Sequence, residues 1–316
     1  MRVDGHVHVF FEGSDPEEFF MGCARMGATL FAKEGGAAGD AQALRDSAMD
    51  ALSDPDASKL VSWMDEAGID RSVILPLDFG LGCDEPATGE LGRLTIEQKN
   101  ERYAEFTRNQ EGRLFSYLGV DPRRRGALDL FVKGIEEWGM LGLKLHPTAG
   151  FYPNDPVCYP FYEAAREMGV PVLIHSGTEP APLKPMFSQP RFIDAAAADF
   201  PEVTFIIAHC GHGWWMESID MATSKPNLYV DFSGWQAEFS GNADYLYGPL
   251  RVAIDMLGPW RVMFGTDGSM TNFIIWPRDW LDAWLEPASP SGIKFSTEEI
   301  DVVTGGSAAR LYGWDM

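Results

Sequence analysis

Val170-Pro171-Val172-Leu173-Ile174-His175 is a short apolar run that ends on a histidine. The same signature returns in Phe205-Ile206-Ile207-Ala208-His209, and in Val262-Met263-Phe264-Gly265-Thr266-Asp267 with an acid in the last place. Runs this short, apolar without alternation, read as strands buried on both faces, the condition of a parallel sheet. Working outward, such runs cover 3–10, 72–77, 114–120, 140–145, 170–174, 203–208, 228–232 and 261–264. Between them, 58–68, 128–139, 161–169, 192–200 and 243–258 carry helical periodicity, several with a glycine at the stop. From the third run onward the strand starts fall 25–33 residues apart, about one β-then-α unit each. Eight such units predict a (β/α)8 TIM barrel, with residues 1–316 as a single domain. An open doubly wound sheet uses the same local elements. The polar residues that close the runs favour the barrel, which gathers its active site at the carboxyl ends of its strands.

Two intervals exceed what a barrel connection needs. Residues 11–57 follow the first run and include Gly35-Gly36-Ala37-Ala38-Gly39, and residues 78–95 follow the second. Both leave the carboxyl ends of strands, so both are expected to act as lid or specificity loops. Arg25, Lys33 and Arg45 in the first insertion are candidate contacts for an anionic substrate.

The chain has 25 Lys and Arg against 47 Asp and Glu, a net charge of −22. That balance repels phosphate backbones and anionic lipid, which argues against nucleic-acid and membrane partners. The expected partners are a small-molecule substrate and a second copy of the chain in a homodimer. Cys23, Cys83, Cys158 and Cys210 lie far apart with no CxxC spacing, which suggests reduced thiols and a cytoplasmic location. No apolar run approaches the ~20 residues of a membrane span. The first residues, Met1 to His6, are read as leaving no room for a signal peptide.

The chain has six histidines, and they are not scattered. His6 and His8 form an HxH pair on the first strand, where alternate residues share a face and can grip one ion. His175, His209 and Asp267 each sit where a buried strand gives out. Separate chain segments thus bring polar groups to one end of one barrel.

Val3-Asp4-Gly5-His6-Val7-His8, Gly142-Leu143-Lys144-Leu145-His146-Pro147, Pro171–His175, Ile207-Ala208-His209-Cys210-Gly211 and Phe264-Gly265-Thr266-Asp267 resemble the amidohydrolase superfamily. The likeness is to its amidohydrolase-related (amidohydrolase 2) branch, which includes hydrolases and enzymes similar to aminocarboxymuconate semialdehyde decarboxylase. The tail, residues 305–313, is similar to the usual ending of that branch. The resemblance implies a metal-dependent enzyme in which His6, His8, His175 and Asp267 hold one divalent metal, Zn2+ first, with Mn2+ or Fe2+ as alternatives. It implies that His209 is the base. Chemistry agrees: three neutral histidines and one carboxylate around a divalent ion leave net positive charge and room for water. Such an ion lowers the pKa of water from 15.7 to about 7. Either His209 or Asp267 can then take the proton.

Other residues are weaker candidates for substrate binding. Lys144 can be a carboxylated bridge between metals, a cation for a substrate carboxylate or an ion-paired lysine, the last two readings leading. His146 shares its strand parity and can look inward. His212 is either a substrate contact or a cap for the helix near Gly213, and Cys210 is assigned to packing. Trp214, Trp215 and Trp235 near strand ends suit an aromatic ring. Arg123-Arg124-Arg125 reads as a solvated cluster at the far end of the barrel. The leading expectation is hydrolysis of a small carboxylate, lactone or amide by metal-activated water. The alternative is non-oxidative decarboxylation of an aromatic or unsaturated acid, with hydration of a double bond third. A metal-binding scaffold or sensor is disfavoured by the spare base, His209.

Overall fold

A computed structural model describes residues 1–33, 39–83 and 94–315 of the chain. Strands form at all the expected places: β1 (Val3–Val7), β2 (Arg71–Ile74), β3 (Leu114–Ser116), β4 (Leu118–Gly119), β5 (Leu143–Leu145), β6 (Val172–Ile174), β7 (Phe205–Ile207), β8 (Leu228–Asp231) and β9 (Val262–Met263). The third run is split at Tyr117 into β3 and β4. Every pairing is parallel and follows chain order, β1-β2-β3 and then β4 through β9. Single backbone bonds cross both seams. Tyr117 N–H donates to Ile74 O at 3.2 Å, Gly5 N–H to Phe264 O at 3.0 Å and Asp267 N–H to His6 O at 2.8 Å. The chain is a TIM barrel with long insertions after the first and second strands.

Side-chain alternation sorts the strand residues into two packed layers. Val172, Ile174, Phe205, Ile207, Leu228 and Val230 join the large cluster between strands and helices. Leu173, Ile206, Met263, Val73 and Tyr117 fill the smaller cluster inside the ring. The parity that turns Leu173 inward also turns His175 inward, and the parity that turns Leu143 and Leu145 outward leaves Lys144 inside. On β1 the register with β2 shifts between Asp4 and Val7. The interior is therefore apolar below and polar above, and the polar layer is the candidate site.

Helices Ser58–Ala67, Ala127–Glu136, Tyr159–Met168, Pro190–Asp199 and Asp244–Leu257 fall within a few residues of the periodic stretches. The first insertion differs from expectation. It carries two helices, Glu17–Lys33 and Ala41–Leu52, rather than an irregular loop. Phe19 and Phe20 on the first of these pack on Phe10, with ring centroids 6.4 and 5.6 Å away. Burial of these rings outweighs the turn-forming composition around them. Of the glycine-rich stretch only Gly39 is among the described residues, and most of 78–95 lies outside them as well.

The arginine cluster also differs. It follows β4, so it lies at the carboxyl end of the barrel. Arg124 is buried and bonds both oxygens of Asp78, at 2.6 and 2.7 Å. Arg123 bonds Asp121 and the carbonyls of Ala149 and Gly150, and covers the Phe151 ring. These ion pairs pin the loop after the third strand to the loop after the second.

Candidate active site

Strand ends and left-handed turns together aim the site groups. His209, Cys210, His212 and Asp267 all have positive φ, between 46° and 56°, a region side chains other than glycine seldom occupy. The turn after β7 thereby carries both His209 and His212 into the barrel mouth. Cys210 is buried packing as expected, but it sits in this turn and not on an alternating strand.

His6, His8 and Asp267 converge. Asp267 Oδ1 lies 3.2 Å from His8 Nε2 and 3.5 Å from His6 Nε2. The ring nitrogens facing away are occupied. His8 Nδ1 donates to Leu75 O at 2.7 Å, and His6 Nδ1 donates to Asp231 Oδ2 at 3.0 Å. Each histidine therefore presents a lone pair at Nε2. Burial first, and then the Lys144 charge, lower His6 to about 4, so the ring is neutral. Burial opposes ionisation of Asp267, but the surrounding histidines outweigh it and hold the carboxyl far below its usual range. With metal–ligand distances of about 2.0–2.1 Å, neighbouring ligand atoms on a tetrahedral ion stand about 3.4 Å apart. The observed separations fit one divalent ion.

His175, the fourth residue of the expected set, is not part of this trio. Its Nδ1 lies 3.2 Å from His209 Nε2, and its Nε2 faces Glu179 Oε1 at 3.5 Å. His146 stacks on it, with centroids 4.2 Å apart and planes 15° apart, and its Nε2 lies 3.3 Å from the same Glu179 oxygen. His209 is 3% exposed, and burial lowers it to about 3, so it stands as a neutral imidazole. Its Nδ1 lies 2.9 Å from Ser233 Oγ, and its carbonyl accepts the Trp235 indole N–H at 2.9 Å. Trp235 thus braces His209 and is buried beneath it.

Lys144 Nζ stands 3.4 Å from His6 Nε2 inside the barrel. Burial lowers it to about 8, against the pull of Asp231, Asp267 and Glu179. His212 stacks on His209 at 5.0 Å, with Nε2 3.2 Å from Gly234 O, and makes no helix cap. It leads into a cavity of about 410 Å³ lined also by Trp215, Trp235, Glu238, Asp244 and Tyr245. Trp214, half-buried, is not among the lining residues. Gly234 has a φ of +77°, and a Cβ there would stand 2.9 Å from Asp267 Oδ2 and 3.2 Å from His209 Nδ1. In the first insertion, Arg45 is engaged by Glu17 and by Asp46, and Arg25 is exposed. The Lys33 side chain lies outside the described residues.

Three acids escaped the sequence reading. Asp231 ends β8 as His175 and His209 end their strands, so the signal was present. Its Oδ1 accepts His209 N–H at 3.0 Å, Ser233 N–H at 3.0 Å and Ser233 O–H at 2.6 Å. Burial disfavours its charge, but His6 outweighs this, and Asp231 is ionised at any ordinary pH. Asp4 accepts both the N–H and O–H of Thr266, at 2.9 and 2.6 Å, which fixes the segment carrying Asp267; burial raises it to about 7. Glu179 lies in the loop after β6, where no periodicity marks it. Burial and the Asp267 charge raise it to about 7.

Known proteins share this architecture. The profile of the amidohydrolase family matches residues 3–314. Protein fluG of Emericella nidulans is 24% identical over 106 residues, which are 34% of this chain and 12% of that protein. Among solved structures, 5-carboxyvanillate decarboxylase from Sphingomonas paucimobilis is 17% identical, with 99% of each chain covered and a TM-score of 0.67. That of 2,6-dihydroxybenzoate decarboxylase from Rhizobium is 16% identical, covering 99% of this chain and 98% of the other, at 0.64. The 5-carboxyvanillate decarboxylase of Novosphingobium aromaticivorans, complexed with manganese and 4-hydroxy-3-methoxy-5-nitrobenzoic acid, is 15% identical, covering 99% and 96%, at 0.67. At these identities the likeness carries the fold. Among the described residues no helix is long and apolar enough to cross a membrane.

Proposed function

The chain belongs to the amidohydrolase family, and from that premise we propose that it is a metal-dependent carboxy-lyase that removes carbon dioxide from a hydroxyaryl carboxylic acid. The observation that carries this reading is the full-length likeness to several decarboxylases of hydroxyaryl acids. It reverses the expectation that hydrolysis leads. His6, His8 and Asp267 would hold the ion, and His175 stands at the same barrel mouth. A divalent ion there supplies a Lewis acid for a carboxylate or phenolic oxygen.

The chain's own groups account for the rest. Lys144, buried beside His6, offers a positive charge to a substrate oxygen. Asp267 stays ionised, which suits a ligand better than a proton donor. His209 is neutral, so it can take the phenolic proton as the acid binds and hand it to the ring carbon that loses carbon dioxide. The phenolate then regains a proton from water, and one proton is consumed per turnover. His212 and the cavity beside Trp215 and Trp235 accommodate the remainder of the ring.

One observation favours a second reading: a neutral His209 can equally serve as the base for hydrolysis of a lactone or amide. A single experiment separates the two. Protein loaded in turn with manganese and zinc is incubated with hydroxyaryl acids, lactones and amides, and released carbon dioxide and released acid are followed separately. Carbon dioxide from a hydroxyaryl acid supports the proposal. Acid from lactones or amides with no carbon dioxide from any aryl acid refutes it.

A further inference from the structure

The cavity beside His212 has a one-sided wall. Trp215, Trp235 and Tyr245 supply rings to it, Glu238 and Asp244 supply carboxylates, and among the described residues no lysine or arginine lines it. Its donors are largely spent. His212 Nε2 donates to Gly234 O at 3.2 Å, and the Trp235 indole N–H donates to His209 O at 2.9 Å. Asp244 accepts hydrogen bonds from the Ser289 hydroxyl and the Ser291 N–H, which hold its carboxyl below the usual range. Glu238 stands half-buried on the short helix Gln236–Gly241, and among the described residues its carboxylate has no hydrogen bond or ion pair.

One residue separates this wall from the reacting centre, because His212 lines the cavity and stacks on His209 at 5.0 Å. An aryl acid whose carboxylate lies at the metal centre therefore sends the far side of its ring here. A second carboxylate on that side would give up water and meet Glu238 and Asp244 with no cation to offset them. Two carboxylates about 6 Å apart in a partly solvated mouth repel by roughly tenfold in affinity. A neutral group escapes this cost, and an ammonium gains from the carboxylates and from the faces of the rings. The net charge of −22 acts in the same direction.

We propose that this cavity selects substrates by charge: it takes an acid with one carboxylate, held at the metal centre, and a neutral or cationic far end, and Glu238 is the residue that turns away a second carboxylate. The inference rests on the proposed function only for where the reacting carboxylate lies.

The test is calorimetric binding to the zinc-loaded full chain, read independently of turnover. The probes are three 2-hydroxybenzoates that carry a hydroxymethyl, an aminomethyl or a carboxylate group para to the hydroxyl. At low salt, wild type is expected to bind the first two roughly tenfold tighter than the third. Glu238→Gln, which keeps side-chain size, should narrow the gap to a few-fold, and Glu238→Lys should favour the dicarboxylate. In 1 M NaCl, where the screening length is about 3 Å, the wild-type gap should also shrink. Equal affinities for the three acids in wild type overturn the inference. So does a gap undiminished by Glu238→Gln or by salt, which would make it one of shape. If none of the acids binds, the carboxy-lyase reading fails by itself. The same three end groups are then carried on the lactone or amide that is turned over, and the same ordering decides.

Discussion

Replacing Asp231 with asparagine is expected to weaken metal binding through a proton that sits on the wrong nitrogen. Asp231 Oδ1 accepts three hydrogen bonds, from His209 N–H, Ser233 N–H and Ser233 O–H. An asparagine keeps these bonds only with its carbonyl oxygen in that place. Its amide N–H2 must then face His6 Nδ1, which now accepts a hydrogen bond from that amide instead of donating one to a carboxylate 3.0 Å away. The single imidazole proton of neutral His6 moves to Nε2, the atom that faces Asp267 and the ion. Outer groups that orient a ligating histidine are typically worth 10–100-fold in metal affinity, or about 1.4–2.8 kcal/mol. The assay is competition with a chromophoric chelator at neutral pH, with Ser233→Ala as the control. That variant loses one donor to Asp231 but keeps the carboxylate, so its affinity should stay within a few-fold of wild type. Wild-type affinity in a folded Asp231→Asn would refute the reasoning, because His6 would then not need its Nδ1 proton.

Further outcomes follow from the same geometry. His209→Asn should keep the metal at His6, His8 and Asp267 while turnover falls by roughly 10² or more; loss of that metal on elemental analysis would make His209 a ligand. Gly234→Ala should lower both metal affinity and activity, since its Cβ would press on Asp267 and His209 and its φ of +77° is strained for alanine; isothermal titration with Zn2+ reads the first effect. Glu179 gives a pH signature in the metal-free protein. Its folded pKa is raised from 4.5 to about 7, so the folded state holds the proton more tightly and stability falls as pH rises through that window, then levels off. The window is worth up to about 3 kcal/mol. Denaturant unfolding at pH 5 and pH 8 should show that Glu179→Gln gains on wild type by an amount of that order, and parallel pH curves would contradict it.

The strand positions, the order of the barrel and the residues at the strand ends could be read from the chain alone. Buried parallel strands need uninterrupted apolar runs, and a barrel leaves functional groups at their ends, so Val172-Leu173-Ile174-His175 announces both at once. HxH parity on β1 likewise needed only the two-residue repeat of a strand. Asp231 was legible by the same rule, since it closes β8 as His175 closes β6. The helices at Glu17–Lys33 and Ala41–Leu52 were not legible, because their stability comes from rings such as Phe19 and Phe20 docking on Phe10, a contact between segments. Arg124 looked solvated for the same reason: its partner Asp78 lies 46 residues away in sequence. Which nitrogen each histidine offers, and to whom, was decided only by tertiary structure. Imidazole tautomers are set by the group on the opposite side of the ring, and here those groups are Leu75 O at the end of β2 and Asp231 and Ser233 at the end of β8, each far in sequence from the histidine it faces. Sequence spacing brings His175 to the mouth of the barrel, but folding alone decides that its Nε2 faces Glu179 Oε1 at 3.5 Å.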